Sequence, residues 1–520
     1  MDRKLRSALI VAALVGTALW VRHQRDRDAD APARPVSAQA APGAPVAPSR
    51  PTRHYGAIAF QPCTLSAPIG ADSAEAQCGT LAVPEDRARP DGRKVTLAIA
   101  WLPATGEALP DPVFMLAGGP GQGAREAYPQ VSSAFAEVRK TRHVVLVDQR
   151  GTGGSNPLAC KDASGENAFW EQGEDASTAQ GRAFAVRCAN ALRAKANVRF
   201  YTTGDAIDDL DAVRAALGAP QVNLVGISYG TRVAQQYAQR YPKQTRTLVI
   251  DSVVPNTLVL GAEHARNLEA SLAKQFERCR RQPTCVALGD PRAQLDALLA
   301  RVEAEPPMVR YRDGITGEAR AEKLTRGHIA ALVRLFAYAP QVAGLLPLEL
   351  KEASEGRYES LMALSRLITS SLGDSIMHGM QLSVMCAEDA DELVVDPKDA
   401  DTLLGNDLIS VLKAQCEVWP RGKRDPAFRK PLTGDVPVLI LSGEFDPVTP
   451  PRYGDEVAKT LPRGRHLVVR GQGHNVLPVG CMPKLFAKFV ADADAKGLDV
   501  KCLENVPYAQ PFTGFHGWEP

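Results

Sequence analysis

Several patterns that would indicate a metal, a nucleotide or a nucleic acid are missing from this chain. It contains no CxxC pair and no HExxH, so the commonest zinc-binding patterns are absent. It also lacks a glycine-rich loop ending in Gly-Lys-Ser or Gly-Lys-Thr, which a P-loop requires. Its 61 basic and 59 acidic residues leave a formal charge of +2, which gives no electrostatic reason to expect nucleic acid as a partner. We therefore expect a protein that works without a metal or another cofactor.

Apolar runs long enough for an ordinary membrane span are also missing. The basic head MDRKLR precedes the uncharged run SALIVAALVGTALWV, which is shorter than the roughly 20 residues that a span needs. This pattern predicts a secretory signal over residues 1–22, either cleaved or kept as a signal anchor. The Pro/Ala-rich residues 23–55 cannot build a core and are predicted to form a linker. We expect an exported protein, periplasmic or secreted, that touches a membrane only through such an anchor.

The use of cysteine agrees with export. The ten cysteines are an even number, and they fall into sequence neighbours. Sequence alone leaves the connectivity open, and pairing of neighbours is the simplest hypothesis for an exported protein. The predicted bridges are Cys63–Cys78, Cys160–Cys188, Cys279–Cys285, Cys386–Cys416 and Cys481–Cys502.

The order of apolar runs predicts the fold class. The runs PVFMLAGG (112–119) and HVVLVDQRG (143–151) are continuously apolar before they end in polar residues and glycine. Helical patterns such as DAIDDLDAVRAALGA (205–219) lie between runs of this kind, and KVTLAIAWLPA (94–104) alternates like an antiparallel strand. Strands and helices that alternate in this way predict an α/β protein with a mainly parallel sheet.

A change of pattern after residue 255 predicts an insertion. Residues 56–255 carry the first part of the α/β core, whereas helical patterns dominate over 256–430. Strand-like runs return in VPVLILSGEFDPVTPP, so residues 431–520 are predicted to complete the core. The mostly helical segment between late strands would form a cap over the carboxyl edge of the sheet, where open α/β sheets bind ligands.

The clearest chemical signal is the segment Gly226-Ile227-Ser228-Tyr229-Gly230. It has the pattern G-x-S-x-G, with the strand-like VNLV before it and the helical TRVAQQYAQRY after it. A sharp turn from strand to helix strains the serine and requires small residues two positions to either side. Ser228 is the predicted nucleophile, and a plain turn between strand and helix is the alternative.

A serine nucleophile needs a base and an acid that orients it, in the order Ser, Asp or Glu, His. His474 lies in a glycine-bracketed loop just past the strand-like HLVVRG and is the predicted base. Asp446, in a turn after VLILSG, is the predicted acid, with Glu444 beside it. Asp251, at the end of an earlier strand-like run, is the rival acid.

Two backbone N–H groups must face the charge that develops on the substrate oxygen. Tyr229 should supply one of them, because it follows the nucleophile. The glycine-rich loop AGGPGQG (117–123) should supply the other, from Gly119 or, as the alternative, Gly118.

Five short motifs together resemble a known family. They are GGPG at 118–121, DQRGTGGS at 148–155, GISYGT at 226–231, GEFDPVTP at 443–450 and GQGH at 471–474. In this order they resemble the prolyl iminopeptidase and tripeptidyl aminopeptidase branch of the α/β-hydrolases, from about Cys63 to the C-terminus, and the late cysteines are similar to its exported members. Prolyl iminopeptidases usually carry histidine at the position of Ala117 and tryptophan at that of Tyr229.

The resemblance implies an α/β-hydrolase fold with a helical cap, and Ser228, Asp446 and His474 as a catalytic triad. It also implies a peptide substrate from whose free N-terminus residues are released. An esterase or amidase on the same triad, and an inactive hydrolase fold that serves as a binding module, are the alternatives. Within the motif DQRG, an Asp148–Arg150 pair is expected to hold loops together.

An enzyme that recognises a free N-terminus needs a carboxylate for the ammonium group. The acidic run in LSVMCAEDADE (382–392) lies late in the predicted cap, and Glu388 is the candidate. The alternative is a solvated acidic surface, since Asp391 and Glu392 continue the run.

Overall fold

The computed structural model describes residues 51–67, 72–161, 177–514 and 517. The predicted signal segment 1–22 lies outside the described residues, as does most of the predicted linker 23–55. The last residues of that linker, Arg53–Tyr55, form an edge strand of the sheet. Over the described part of the chain, no helix combines the length and the apolar character needed to cross a membrane.

Ten strands form one mixed sheet in the order β1-β2-β3-β4-β6-β5-β7-β8-β11-β12. Pairing is antiparallel from β1 to β4 and between β4 and β6, and it is parallel from β6 to β12. The strands are β1 Arg53–Tyr55, β2 Ile58–Ser66, β3 Ser73–Pro84, β4 Lys94–Leu102, β5 Val113–Leu116, β6 Val144–Val147, β7 Val222–Ile227, β8 Thr245–Asp251, β11 Val438–Gly443 and β12 Gly464–Val469. Two further strands, β9 Met308–Arg312 and β10 Ala319–Lys323, form a separate hairpin.

Fifteen α-helices of the described residues surround the sheet or build the cap. Those before the cap are α1 Ala124–Val131, α2 Thr178–Leu192, α3 Thr203–Ala216 and α4 Tyr229–Arg240. Between β8 and β11 lie α5 His264–Arg280, α6 Pro283–Val286, α7 Pro291–Ala304, α8 Arg326–Phe336, α9 Pro340–Ala343, α10 Leu346–Ser354, α11 Glu359–Ser375, α12 His378–Glu388 and α13 Asp407–Val418. The last two, α14 Pro451–Ala458 and α15 Met482–Asp492, flank β12.

The central strands are buried on both faces, as their continuous apolar runs predict. All residues of β5, β6, β7 and β11 are buried. Two apolar clusters cover the two faces, one containing Val233 and Tyr237 of α4 and the other Phe486 and Phe489 of α15. The predicted fold class, a mainly parallel α/β sheet with a mostly helical insertion between late strands, is confirmed.

The insertion differs from the sequence-based prediction in two ways. It contains the hairpin β9–β10, whose exposed residues are mostly polar and give no apolar run. In addition, α5, α7, α8, α10 and α11 share a core of their own, whereas α12 and α13 bury Met380, Val384 and Cys416 in the apolar cluster of the main sheet. The end of the segment predicted as cap therefore belongs to the main body.

All ten cysteines are paired with their neighbours in sequence. The five bridges are Cys63–Cys78, Cys160–Cys188, Cys279–Cys285, Cys386–Cys416 and Cys481–Cys502. The first pins β2 to β3, and the fourth joins α12 to α13. Five bridges in one chain indicate a protein that matures in an oxidising compartment, as exported proteins do.

Candidate active site

Ser228 occupies a strained turn between β7 and α4. Its backbone has φ +56° and ψ −125°, a conformation that residues other than glycine rarely adopt. A Cβ added to Gly226 would lie 2.4 Å from the carbonyl oxygen of Gly230, and one added to Gly230 would lie 2.2 Å from that of Leu116. Both glycines are therefore required for strand and helix to meet at this angle. The turn places Ser228 at the carboxyl edge of the sheet.

His474 and Asp446 form a buried pair at the same edge. Nδ1 of His474 lies 2.8 Å from Oδ2 of Asp446, a distance at which the imidazole N–H donates to the carboxylate. The other carboxylate oxygen, Oδ1, accepts the backbone N–H groups of Val448 and Thr449 at 2.9 and 2.8 Å. The Asp446 carboxylate is thus fixed in one position, and it orients the imidazole.

The charges of this pair support each other. Burial acts to raise the pKa of Asp446, but the nearby His474 and the backbone N–H groups outweigh it and leave the pKa below its usual value. Burial acts to lower the pKa of His474, and the Asp446 carboxylate outweighs it and raises the pKa. This is the electrostatic arrangement of a histidine that accepts a proton and is stabilised as the imidazolium ion.

Asp251, the rival acid, connects the nucleophile to the base without touching the imidazole. Its carbonyl oxygen accepts the N–H of Ser228 at 2.9 Å. Its carboxylate accepts the N–H groups of Val476 and Leu477 at 2.8 and 2.7 Å, just past His474. Burial raises the pKa of Asp251 to about 6, although these N–H groups oppose the rise. We infer a structural role for Asp251, since Asp446 is the carboxylate on His474. Glu444 likewise supports the base loop, where its side chain accepts the N–H of Gly471 at 2.7 Å.

The glycine-rich loop after β5 packs directly on Ser228. A Cβ added to Gly118 would lie 3.2 Å from Cβ and 3.6 Å from Oγ of Ser228. Gly119 has φ +105°, a conformation that suits glycine. Among the described residues, neither the N–H of Gly119 nor that of Tyr229 donates a hydrogen bond to the protein. Both donors are therefore available to an oxygen atom of a substrate.

The hydroxyl of Ser228 makes no hydrogen bond to another described residue, His474 included. Hydrogen bonds between catalytic groups are often long in enzymes without substrate and shorten when substrate binds. Within the described ranges, no group of three His, Cys, Asp or Glu side chains is arranged to hold a metal ion. The chemistry that these residues support is attack by a serine hydroxyl with the help of an imidazole.

The DQRG turn holds loops together, although not through the expected pair. Arg150 is fully buried and binds Asp209 through two hydrogen bonds of 2.6 and 2.7 Å. Asp148 accepts the N–H groups of Arg125 and Gly154, both at 2.9 Å. The two side chains therefore fasten different segments, and the expectation of a direct Asp148–Arg150 pair is wrong.

Sequence reasoning missed Thr449. Its hydroxyl donates to Oδ2 of Asp446 at 2.8 Å and lies 3.3 Å from Nδ1 of His474. The signal in the sequence was the spacing Asp-Pro-Val-Thr, in which an Asx turn returns the threonine to its aspartate. Thr449 thus contacts both members of the pair.

Glu388 is not where the substrate-amine hypothesis requires it. The residue is 1% exposed, and its two carboxylate oxygens accept the N–H and the hydroxyl of Thr203 at 2.6 and 2.8 Å. The Thr203 hydroxyl in turn lies 2.7 Å from the hydroxyl of Tyr229. The prediction failed because α12 packs into the main core, so Glu388 stabilises the interior beneath α4. The alternative, a solvated acidic run, is wrong for Glu388 and for the fully buried Asp389.

Replacing Thr449 tests its hold on Asp446. Thr449→Val keeps the shape of the side chain but removes its hydrogen bond to the carboxylate. We expect kcat/KM for p-nitrophenyl acetate to fall about tenfold, the effect of losing one hydrogen bond to a charged group. Thr449→Ser keeps the hydroxyl and should stay close to wild type. Equal activity of the valine and serine variants would contradict this role.

The environment of Glu388 predicts a pH-dependent stability. Burial and the neighbouring Asp389 raise the pKa of Glu388 to about 8, against the opposing hydrogen bonds from Thr203. The folded state therefore holds a proton that the unfolded chain releases. Because of this, the stability that Glu388 contributes is complete below pH 4.5, its ordinary pKa, and is lost as pH rises through 8.

Glu388→Gln should remove that loss. In urea unfolding, the variant should gain several kcal/mol relative to wild type between pH 5 and pH 9, since one pKa unit corresponds to about 1.4 kcal/mol. The control Glu392→Gln changes an exposed carboxylate of the same run. If the free energy of unfolding of the two variants changed with pH in the same way, the raised pKa would not belong to Glu388.

Comparison with known proteins identifies the family of this chain. The chain is 25% identical over 481 residues to the serine protease Hip1 of Mycobacterium tuberculosis, covering 86% of this chain and 91% of that protein. It is 27% identical over 467 residues to a tripeptidyl aminopeptidase of Streptomyces coelicolor, covering 84% of each. Among solved structures, a proline iminopeptidase of Mycobacterium smegmatis matches with 17% identity and a TM-score of 0.39, over 80% of this chain and 98% of that one. The family model for the alpha/beta hydrolase fold matches residues 111–480, so the chain belongs to the α/β-hydrolases.

Proposed function

We propose that this protein is an exported serine aminopeptidase that releases residues or short peptides from free peptide N-termini. The observation that carries the proposal is the strained Ser228 at the sheet edge that also holds the His474–Asp446 pair. The names of two relatives, a serine protease and a tripeptidyl aminopeptidase, support a peptidase. The five disulfides support export.

The site residues suggest the following steps. Ser228 Oγ attacks the carbonyl carbon of the scissile bond while His474 takes the hydroxyl proton, and the N–H groups of Tyr229 and Gly119 bind the resulting oxyanion. His474 then gives its proton to the leaving amine, which leaves an acyl-enzyme on Ser228. A water molecule, deprotonated by His474, hydrolyses that ester and restores the enzyme. Asp446 keeps the imidazole in the required tautomer throughout.

The cap contacts both loops of the site, which supports action at chain ends. Met377, between α11 and α12, donates its N–H to the carbonyl of Gly121 in the oxyanion loop at 2.9 Å. The carbonyl oxygen of Tyr338, just after α8, accepts the backbone N–H of His474 at 2.7 Å. Two parts of the inserted segment thus lie against the site from two sides. An extended internal segment of a folded protein needs an open cleft, whereas a short chain end fits beneath such a cover.

A substrate panel tests the proposal. Purified protein is assayed with Ala-, Pro- and Ala-Ala-Pro-amidocoumarin, with N-acetyl-Ala-Ala-Pro-amidocoumarin, and with p-nitrophenyl acetate. We expect kcat/KM for the free-amine tripeptide to exceed that for its acetylated form by about tenfold or more, since an aminopeptidase must recognise the ammonium group that acetylation removes. Ser228→Ala should lower kcat by about 10⁴-fold or more on every substrate.

The possible outcomes separate the candidate functions. Equal turnover of acetylated and free-amine peptides would contradict an aminopeptidase and leave a less selective peptidase. Hydrolysis of the ester alone would indicate an esterase on the same residues. No turnover of any substrate by well-folded protein would indicate a binding module.

A further inference from the structure

Three polar side chains of the cap lie at or near the contact between the cap and His474. They are His264 at the start of α5, Arg334 in the last turn of α8, and Tyr338, which follows α8. The ring of Tyr338 packs edge-on against that of His474, with 5.0 Å between the ring centres. Each of the three residues is largely covered and keeps some exposure to solvent. We call this group the cap cluster.

Arg334 is the charged member of the cap cluster. Burial, together with the charges of Arg334 and His474, lowers the pKa of His264 to about 3, so the imidazole is neutral at neutral pH. Burial raises the pKa of Tyr338, against the positive charge of the nearby Arg334, so the phenol is neutral as well. The cluster therefore presents one positive charge and two neutral polar groups beside His474.

The guanidinium of Arg334 has no counter-ion in the protein. Among the described residues, no carboxylate oxygen lies within 4.0 Å of it, and its Nε is buried without a hydrogen-bond partner. Asp446 does not fill this role, because its two oxygens are occupied by His474, Thr449 and Val448. An arginine offers five donors in a fork that matches a carboxylate.

Two fully covered arginines of this protein each have a carboxylate partner. Arg150 pairs with Asp209, and Arg232 pairs with Asp389, in both cases with essentially no exposure. Removing a charge from water is costly unless a partner replaces the water. Arg334 is partly covered, has no carboxylate partner among the described residues, and lies near the tyrosine that packs on His474. It is therefore placed to receive an anion that arrives with the substrate.

We propose that Arg334 binds a carboxylate on the leaving part of the substrate. Because His474 protonates the leaving amine, the side chains that pack against His474 from the cap face the part of the substrate that departs. The carboxylate comes either from the free C-terminus of a leaving amino acid or from an acidic side chain at that position. The inference rests on the proposed function and adds a preference to it: a negatively charged leaving group.

Four tetrapeptides distinguish the two sources of the carboxylate. Ala-Ala-Pro-Ala is compared with Ala-Ala-Pro-Ala-amide, and Ala-Ala-Pro-Asp-amide with Ala-Ala-Pro-Asn-amide, and release of the last residue is followed by chromatography. In wild type, at least one carboxylate-bearing peptide should show a kcat/KM about tenfold above its neutral partner, as expected for a charge-assisted pair. Arg334→Gln should reduce that ratio to near one, and Arg334→Lys should keep part of it.

Two controls keep the result specific. Arg310→Gln removes an exposed arginine of the β9–β10 hairpin and should leave the ratio at the wild-type value. Raising the salt concentration should lower the wild-type ratio, because the contact is between charges. This second measurement needs no variant, so it remains informative if Arg334→Gln does not fold.

An ester pair separates this inference from the proposed function. 3-Carboxyphenyl acetate and 3-carbamoylphenyl acetate differ only in the charge of the leaving group. If no peptide is cleaved but the ratio for the two esters falls about tenfold in Arg334→Gln, the peptidase proposal fails and the role of Arg334 stands. Ratios near one in wild type for both peptides and esters, or ratios that Arg334→Gln does not change, would overturn the role of Arg334.

Discussion

One buried aspartate connects the turn that carries Ser228 to the loop that carries His474. Asp251, the last residue of β8, uses its main-chain oxygen for the N–H of Ser228 and its side chain for the N–H groups of Val476 and Leu477. β8 lies beside β7, which ends just before Ser228, and the Asp251 side chain reaches the loop that follows β12 and carries His474. Asp251 therefore contributes to the position of His474 relative to Ser228.

The second constraint comes from the cap. The N–H of His474 donates to the carbonyl oxygen of Tyr338, and the N–H of Met377 donates to the carbonyl oxygen of Gly121 in the glycine-rich loop 117–123. A Cβ added to Gly473 would lie 2.1 Å from the carbonyl oxygen of Tyr338, so this contact requires a glycine in the GQGH motif. The cap therefore does more than cover the site. It contacts the loop of His474 and the glycine-rich loop beside Ser228, and it brings Arg334 near Tyr338.

The features that could be predicted from the sequence are those that short segments, or their order along the chain, indicate. The turn at Ser228 could be predicted because its cause is local: small residues at 226 and 230 between an apolar strand and a helix. Asp446 and His474 could be predicted because both follow strand-like runs in a known order. The five cysteine pairs follow the simplest neighbour rule. Each of these features can be recognised from a short segment or from the order of residues along the chain.

The features that could not be predicted depend on packing between distant segments. An acidic run suggested that Glu388 faces solvent or substrate, but only the packing of α12 against Thr203 shows that it is buried. Thr449 is one of many threonines until the turn brings it to Asp446. Arg334 lies on an ordinary amphipathic helix, and the sequence does not show that this helix ends just before Tyr338, whose ring packs against His474.

Labelling with a fluorophosphonate tests the central claim, that Ser228 is activated by the His474–Asp446 pair. The probe reacts covalently with an activated serine, and mass spectrometry of the digested protein locates the adduct. We predict one adduct, on Ser228, that forms orders of magnitude more slowly in His474→Ala and in Asp446→Asn. An adduct on another residue, or an undiminished rate in His474→Ala, would contradict it.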